Sequence, residues 1–101
     1  MTDNPEQKLN NIRNRINEID NELIKLMVER TNYAPEIVKL KLQLNKDIYD
    51  NSREELIKER IYNLCEKYNF DKKIAIEVIT ILMEHNKDIQ KTVYNEINSN
   101  K

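Results

Sequence analysis

Apolar residues step along the first third of the chain at Leu9, Ile12, Ile16, Ile19, Leu23 and Leu26, then resume at Tyr33, Ile37, Leu40 and Leu44. Spacings of three and four return each of these side chains to one stripe of an α-helix, which predicts a first helix over about 5–44. Asn4 as cap, Pro5 at the first helical position and Glu6 in the first turn mark its start. Asn45-Lys46-Asp47 reads as a loop. Asp50 to Glu55, "DNSREE", opens a second helix over about 52–68, with Ser52 and Glu55 in the spacing of a capping box. Asn69-Phe70-Asp71 breaks that helix, and Asp71 is placed to cap a third. Ile74, Val78, Ile81, Leu82, His85, Ile89 and Val93 then hold one face of a helix over about 72–97, with "NSNK" fraying beyond it. The pattern is all-α, three helices in one small domain over residues 1–101.

Two residues disturb the first stripe. Pro35 removes a backbone donor and crowds the carbonyl of Thr31, so the helix is either broken in two there or kinked. The apolar register stays in phase on both sides and no turn residues accompany the proline, which favours one kinked helix. Arg30 stands where the seam asks for another Leu or Ile. Lys41 follows eleven positions later, which returns it to within about 20° on the helical wheel and about 16 Å along the axis. Asp50, Arg53 and Glu54 gather at the entrance of the second helix, and Asn86 and Gln90 lie four apart on the third, so both amides project the same way. One reading is a polar pocket in an apolar bundle, shaped for a small dianion carrying a hydroxyl or ether oxygen. The other has Arg30 snorkelling to solvent, Lys41 paired with a nearby acid and both amides solvated, in a helical dimerisation module with a polar register device.

Composition narrows the chemistry. Glycine is absent, which excludes Gly-rich phosphate cradles and dinucleotide turns, because these need a backbone without Cβ. Seventeen basic and eighteen acidic side chains give a net charge of −1, so no broad basic surface for nucleic acid is implied. The single cysteine, Cys65, cannot form an internal disulfide, and it reads as a small buried side chain. With one histidine, His85, a zinc site is not expected. His85 itself continues the apolar stripe as a core or interface residue. No hydrophobic run resembles a signal peptide or a membrane span, which makes the cytoplasm the expected compartment.

"IRNRINEIDNELIKLMVER", "IVKLK", "DIYDNSREE" and "MEHNKDIQ" resemble, in order and spacing, the signature blocks of the all-helical (type II) chorismate mutase family. The resemblance covers roughly residues 7 to 95 and includes scattered polar positions on three helices. It implies an intertwined homodimer of three-helix subunits, a six-helix bundle, that rearranges chorismate to prephenate in phenylalanine and tyrosine biosynthesis without metal or organic cofactor. Carried over by position, Arg13 resembles the arginine that reaches into the partner's site and Arg30 the main carboxylate-binding arginine. Lys41 and Gln90 resemble the pair that donates to the ether oxygen. Glu54, with the backbone near Asp50, resembles the group that receives the substrate hydroxyl, and Arg53 a conspicuous site arginine. Asn86 falls where several members carry a serine near a carboxylate, and Pro35 also departs from the family's pattern. Isochorismate pyruvate lyase and amino-chorismate mutase are the alternatives on the same fold, although Glu54 argues against the lyase. With the chain ending soon after the third helix, no fused partner domain and no feedback control within the chain are expected.

Overall fold

The computed structural model describes residues 4–99. Four helical segments follow one another: α1 (Pro5–Asn32), α2 (Ala34–Gln43), α3 (Asn51–Tyr68) and α4 (Lys72–Ser99). They fall into two units, residues 1–30 and 31–101. The first consists of α1 up to Arg30. Asn4 caps it, its Oδ1 accepting the N–H groups of Glu6 at 3.0 Å and Gln7 at 3.2 Å. No residue of α1 is buried, and Leu9, Ile12, Ile16, Ile19, Leu23 and Leu26 are all exposed along one stripe.

The expected span over about 5–44 is divided at a single residue. Tyr33 keeps a right-handed helical backbone (φ −76°, ψ −16°), and its carbonyl accepts from Ile37 N–H at 2.9 Å. Pro35 lies in the first turn of α2, where its missing N–H is least costly. The interruption is therefore a single residue with no loop between the segments.

The second unit packs α2 and α3 against α4. Ala34, Val38, Cys65 and Met83 form its buried apolar centre. Asp71 caps α4 as expected, accepting from Lys73 N–H at 2.8 Å and Ile74 N–H at 3.3 Å. The start of α3 differs from the capping-box expectation. Asp50, not Ser52, is the cap: its Oδ1 accepts from Arg53 N–H at 3.0 Å, and the Ser52 hydroxyl donates to the same oxygen at 2.6 Å. A carboxylate satisfies the helix's unpaired donors and interacts with its positive end, so it wins over the hydroxyl two residues later.

In a chain without glycine, the two left-handed positions among the described residues, Asn45 (φ 54°) and Asn69 (φ 55°), fall to asparagine, whose short amide tolerates that region. Both close helices. Lys46 N–H reaches Lys41 O at 2.8 Å and Asn45 N–H reaches Leu42 O at 3.2 Å after α2, and Phe70 N–H reaches Cys65 O at 2.9 Å after α3. Helix α4 continues through Asn98 and Ser99, two residues of the segment expected to fray. Asn100 and Lys101 lie outside the described residues. Among the described residues no helix is long and apolar enough to cross a membrane.

Candidate active site

Lys41 sits in the last turn of α2, half-buried, with the second unit closing around its ammonium. Its Nζ donates to Ile48 O at 2.6 Å and to Gln90 Oε1 at 2.9 Å. Gln90, on α4, is only 5% exposed and is the one buried polar side chain among the described residues. Its Nε2 in turn donates to Asn86 Oδ1, one turn earlier on the same helix. Lysine has no acceptor, so the amide oxygen must face it and the amide nitrogen must face away. The orientation of both amides is thereby set from the lysine outward. Residues separated by 49 positions meet here, and among the described residues no buried side-chain polar atom is left unsatisfied.

Counting donors shows what the arrangement can do. Two of the three Lys41 protons are committed, to Ile48 O and Gln90 Oε1, and one of the two Gln90 Nε2 protons is committed to Asn86. One N–H of each group remains uncommitted, on two side chains that are hydrogen-bonded to each other. Burial holds the Lys41 ammonium below the ordinary lysine range, and the charge of Asp50 partly offsets this. The result is a cationic and a neutral donor on one hydrogen-bonded pair of side chains, partly desolvated, where an oxygen acquiring negative charge would be favoured.

The entrance of α3 supplies a different group. Arg53 and Asp50 are exposed, and the Asp50 carboxylate is occupied by its capping role. The Ser52 hydroxyl and the Arg53 N–H hold it below the usual carboxylate range. Glu54 is half-buried in the first turn, and its Oε1 lies 2.9 Å from Lys87 Nζ on α4. Lys87 also reaches Glu84 Oε1 at 2.9 Å, and these two partners, Glu84 ahead of Glu54, raise its pKa well above the ordinary lysine range. The sequence reading missed Lys87. A signal for it existed: Glu54 lies fifteen residues before Asn69 and Lys87 sixteen after Asp71, so a tight antiparallel α3–α4 hairpin places them at the same level.

The structure thus brings Lys41, Gln90 and Asn86 together and pairs Glu54 with a lysine that was not anticipated. Arg13 and Arg30 are on α1, exposed and half-buried respectively. They are seventeen positions apart, or about 25 Å at ~1.5 Å per residue. His85 is exposed on the chain, which removes the core half of its expected role. Cys65 is buried, as expected.

These positions can be set beside known proteins. The family model described as chorismate mutase type II matches residues 12–91. A chorismate mutase of Methanocaldococcus jannaschii is 44% identical over 96 residues, 94% of this chain and 97% of the relative. The bifunctional chorismate mutase/prephenate dehydratase of Buchnera aphidicola subsp. Acyrthosiphon pisum is 30% identical over 79 residues, 78% of this chain but 20% of that protein. Among solved structures, the NMR structure of monomeric chorismate mutase from Methanococcus jannaschii superposes with a TM-score of 0.69 at 38% identity, covering 92% of this chain and 97% of the other. With the match spanning all four helical segments and the polar positions on them, the chain belongs to the type II chorismate mutase family.

Proposed function

We propose that the Lys41–Gln90–Asn86 chain is the catalytic half of a chorismate mutase site, and that its two uncommitted N–H groups receive the ether oxygen of chorismate. The enzyme is an isomerase that converts chorismate to prephenate by a pericyclic shift. One C–O bond breaks as one C–C bond forms, so the reaction requires no nucleophile, acid, base, metal or organic cofactor. What it requires is shape and charge. Negative charge grows on the ether oxygen as the C–O bond lengthens. A lysine N–H and an amide N–H held in place by their other hydrogen bonds stabilise that charge with little reorganisation.

The remaining roles rest on the family pattern and on residue chemistry. Arg30 interrupts an apolar stripe because its counter-charge is a substrate carboxylate, bound through two parallel N–H···O contacts. Arg13 binds the second carboxylate, from the other subunit of a homodimer. Glu54 accepts the ring hydroxyl beside the backbone near Asp50, with Arg53 at the rim. Asn86, whose Oδ1 is taken by Gln90, has its Nδ2 left to donate to a carboxylate. The exposed stripe of α1 supports the dimer, since a helix 28 residues long with no buried residue has an apolar face to cover. The M. jannaschii structure is described as monomeric. The cytoplasm is the compartment this role calls for.

The observation that supports the reading is the hydrogen bond from Lys41 to the buried Gln90, which leaves each side chain with an uncommitted N–H. All the relatives described above have chorismate mutase in their names, which favours the mutase over the lyase and over a non-catalytic module. Purified protein incubated with chorismate should remove its absorbance and form prephenate. Formation of pyruvate instead, or no loss of chorismate, would refute the assignment.

A further inference from the structure

Between α3 and α4 one lysine bridges two carboxylates. Lys87 Nζ lies 2.9 Å from Glu54 Oε1, and the two side chains are 25% and 24% exposed, so this pair is shielded as most helix-surface ion pairs are not. Within single helices, the pairs Arg15–Glu18 and Lys25–Glu22 are about two-thirds exposed on both sides. Lys87 is also three positions before Gln90 and one after Asn86, on the segment of α4 that carries the donor chain. The Glu54 carboxylate has no other hydrogen bond or ion pair among the described residues. Its Oε1 is therefore taken and its Oε2 lone pairs are open to a hydroxyl donor.

We propose that Lys87 is a positioning residue for Glu54: it grips one carboxylate oxygen and so turns the other toward the substrate hydroxyl. This inference rests on the assignment of Glu54 to the site. A glutamate in the first turn of a helix has three side-chain torsions to settle, and an acceptor that wanders among rotamers loses much of its benefit in a reaction that depends on holding one conformer. Glu84, the second and more exposed partner, keeps the lysine charged and leaves Glu54 free to share it. Helix α4 then serves both ends of the substrate. Gln90 addresses the breaking bond, and Lys87 acts through Glu54 on the hydroxyl.

The test is a double-mutant cycle on the full chain, reading kcat/KM for chorismate in the wild type, Lys87→Met, Glu54→Ala and the double variant. Lys87→Met should lower kcat/KM about tenfold in the intact background and by less than about twofold once Glu54 is already alanine, because contacting residues that act as a unit are not additive. Lys87→Arg, which keeps the charge and the donor, should recover to within about threefold of wild type, and Glu84→Gln should stay within about twofold. Circular dichroism of each variant confirms that the helices remain. An equal loss in both backgrounds, or none in the first, overturns the positioning role even with Glu54→Ala impaired. Unchanged kinetics in Glu54→Ala would instead remove Glu54 from the site, and the role of Lys87 with it.

Discussion

At Lys41 two effects oppose each other: burial disfavours the charged form, while Asp50 favours it, and burial prevails. The pKa of the folded state is therefore lowered, and two consequences of opposite sign follow. Between that lowered value and the ordinary 10.5 of an unfolded lysine, the unfolded chain binds more protons, so stability rises with pH across this window. On the proposed role of Lys41 activity should fall across it, because the donor assigned to the ether oxygen loses its charge. The alkaline limb of kcat/KM should accordingly lie below 10.5, in a protein whose helical signal is undiminished there. A limb that coincides with loss of helix would show unfolding, not Lys41. On the acid side Gln90 has nothing to titrate, and activity should stay broad through neutral pH. Gln90→Glu replaces a neutral donor by a group that donates only when protonated, so its optimum should move to acid pH. A profile identical to wild type would detach residue 90 from the reacting oxygen.

Among the elements, α4 packs against both α2 and α3, and the α3–α4 turn depends on Asn69 in the left-handed region. A Cβ-bearing residue without a polar side chain is strained there. Asn69→Ala should lower stability by about 1 kcal/mol, and Asn69→Gly should be neutral or better. For a domain of this size ~1 kcal/mol corresponds to about 4–8 °C in the melting temperature, well within reach of thermal denaturation followed by circular dichroism. An alanine variant as stable as the glycine variant would show that the turn holds this backbone without strain. The same hairpin shows how far sequence reasoning reaches. Asn4, Asp71 and the breaks at Asn45 and Asn69 were legible because caps and left-handed turns are local chemistry. The cap at Asp50 was misplaced to Ser52 because both lie within reach of the same N–H groups, and only the backbone geometry chooses between them. Pro35 was legible as a disturbance, but the one-residue extent of the interruption at Tyr33 was not, since it depends on the turn settling into helical torsions. Lys41 and Gln90 were paired only through the family's pattern. Periodicity places residues on faces and does not say which faces meet, and for the same reason it does not single out Lys87.

The molecule as a whole poses a question of length. Arg13 and Arg30 are about 25 Å apart on α1 at ~1.5 Å per residue, whereas the two carboxylates of one small substrate lie within several Å of each other, so one copy of the helix cannot bind both with these two arginines. Two copies in antiparallel contact along the exposed stripe of Leu9, Ile12, Ile16, Ile19, Leu23 and Leu26 can. Arg13 of each chain then approaches Arg30 of the other, and a two-fold dimer holds two equivalent shared sites. Sedimentation or light scattering should accordingly report a dimer of the 12.2 kDa chain. The sharing is tested by complementation. Arg13→Ala and Arg30→Ala, prepared separately, should each be nearly inactive. Mixed under conditions that let subunits exchange, half of the dimers become mixed, and in each of these one site receives both lesions and the other neither. Roughly a quarter of wild-type activity should return. If exchange is demonstrated by mass or fluorescence and no activity returns, Arg13 does not act across an interface. Were the chain monomeric and fully active, Arg13 would have no place in the site and the stripe on α1 would need another explanation.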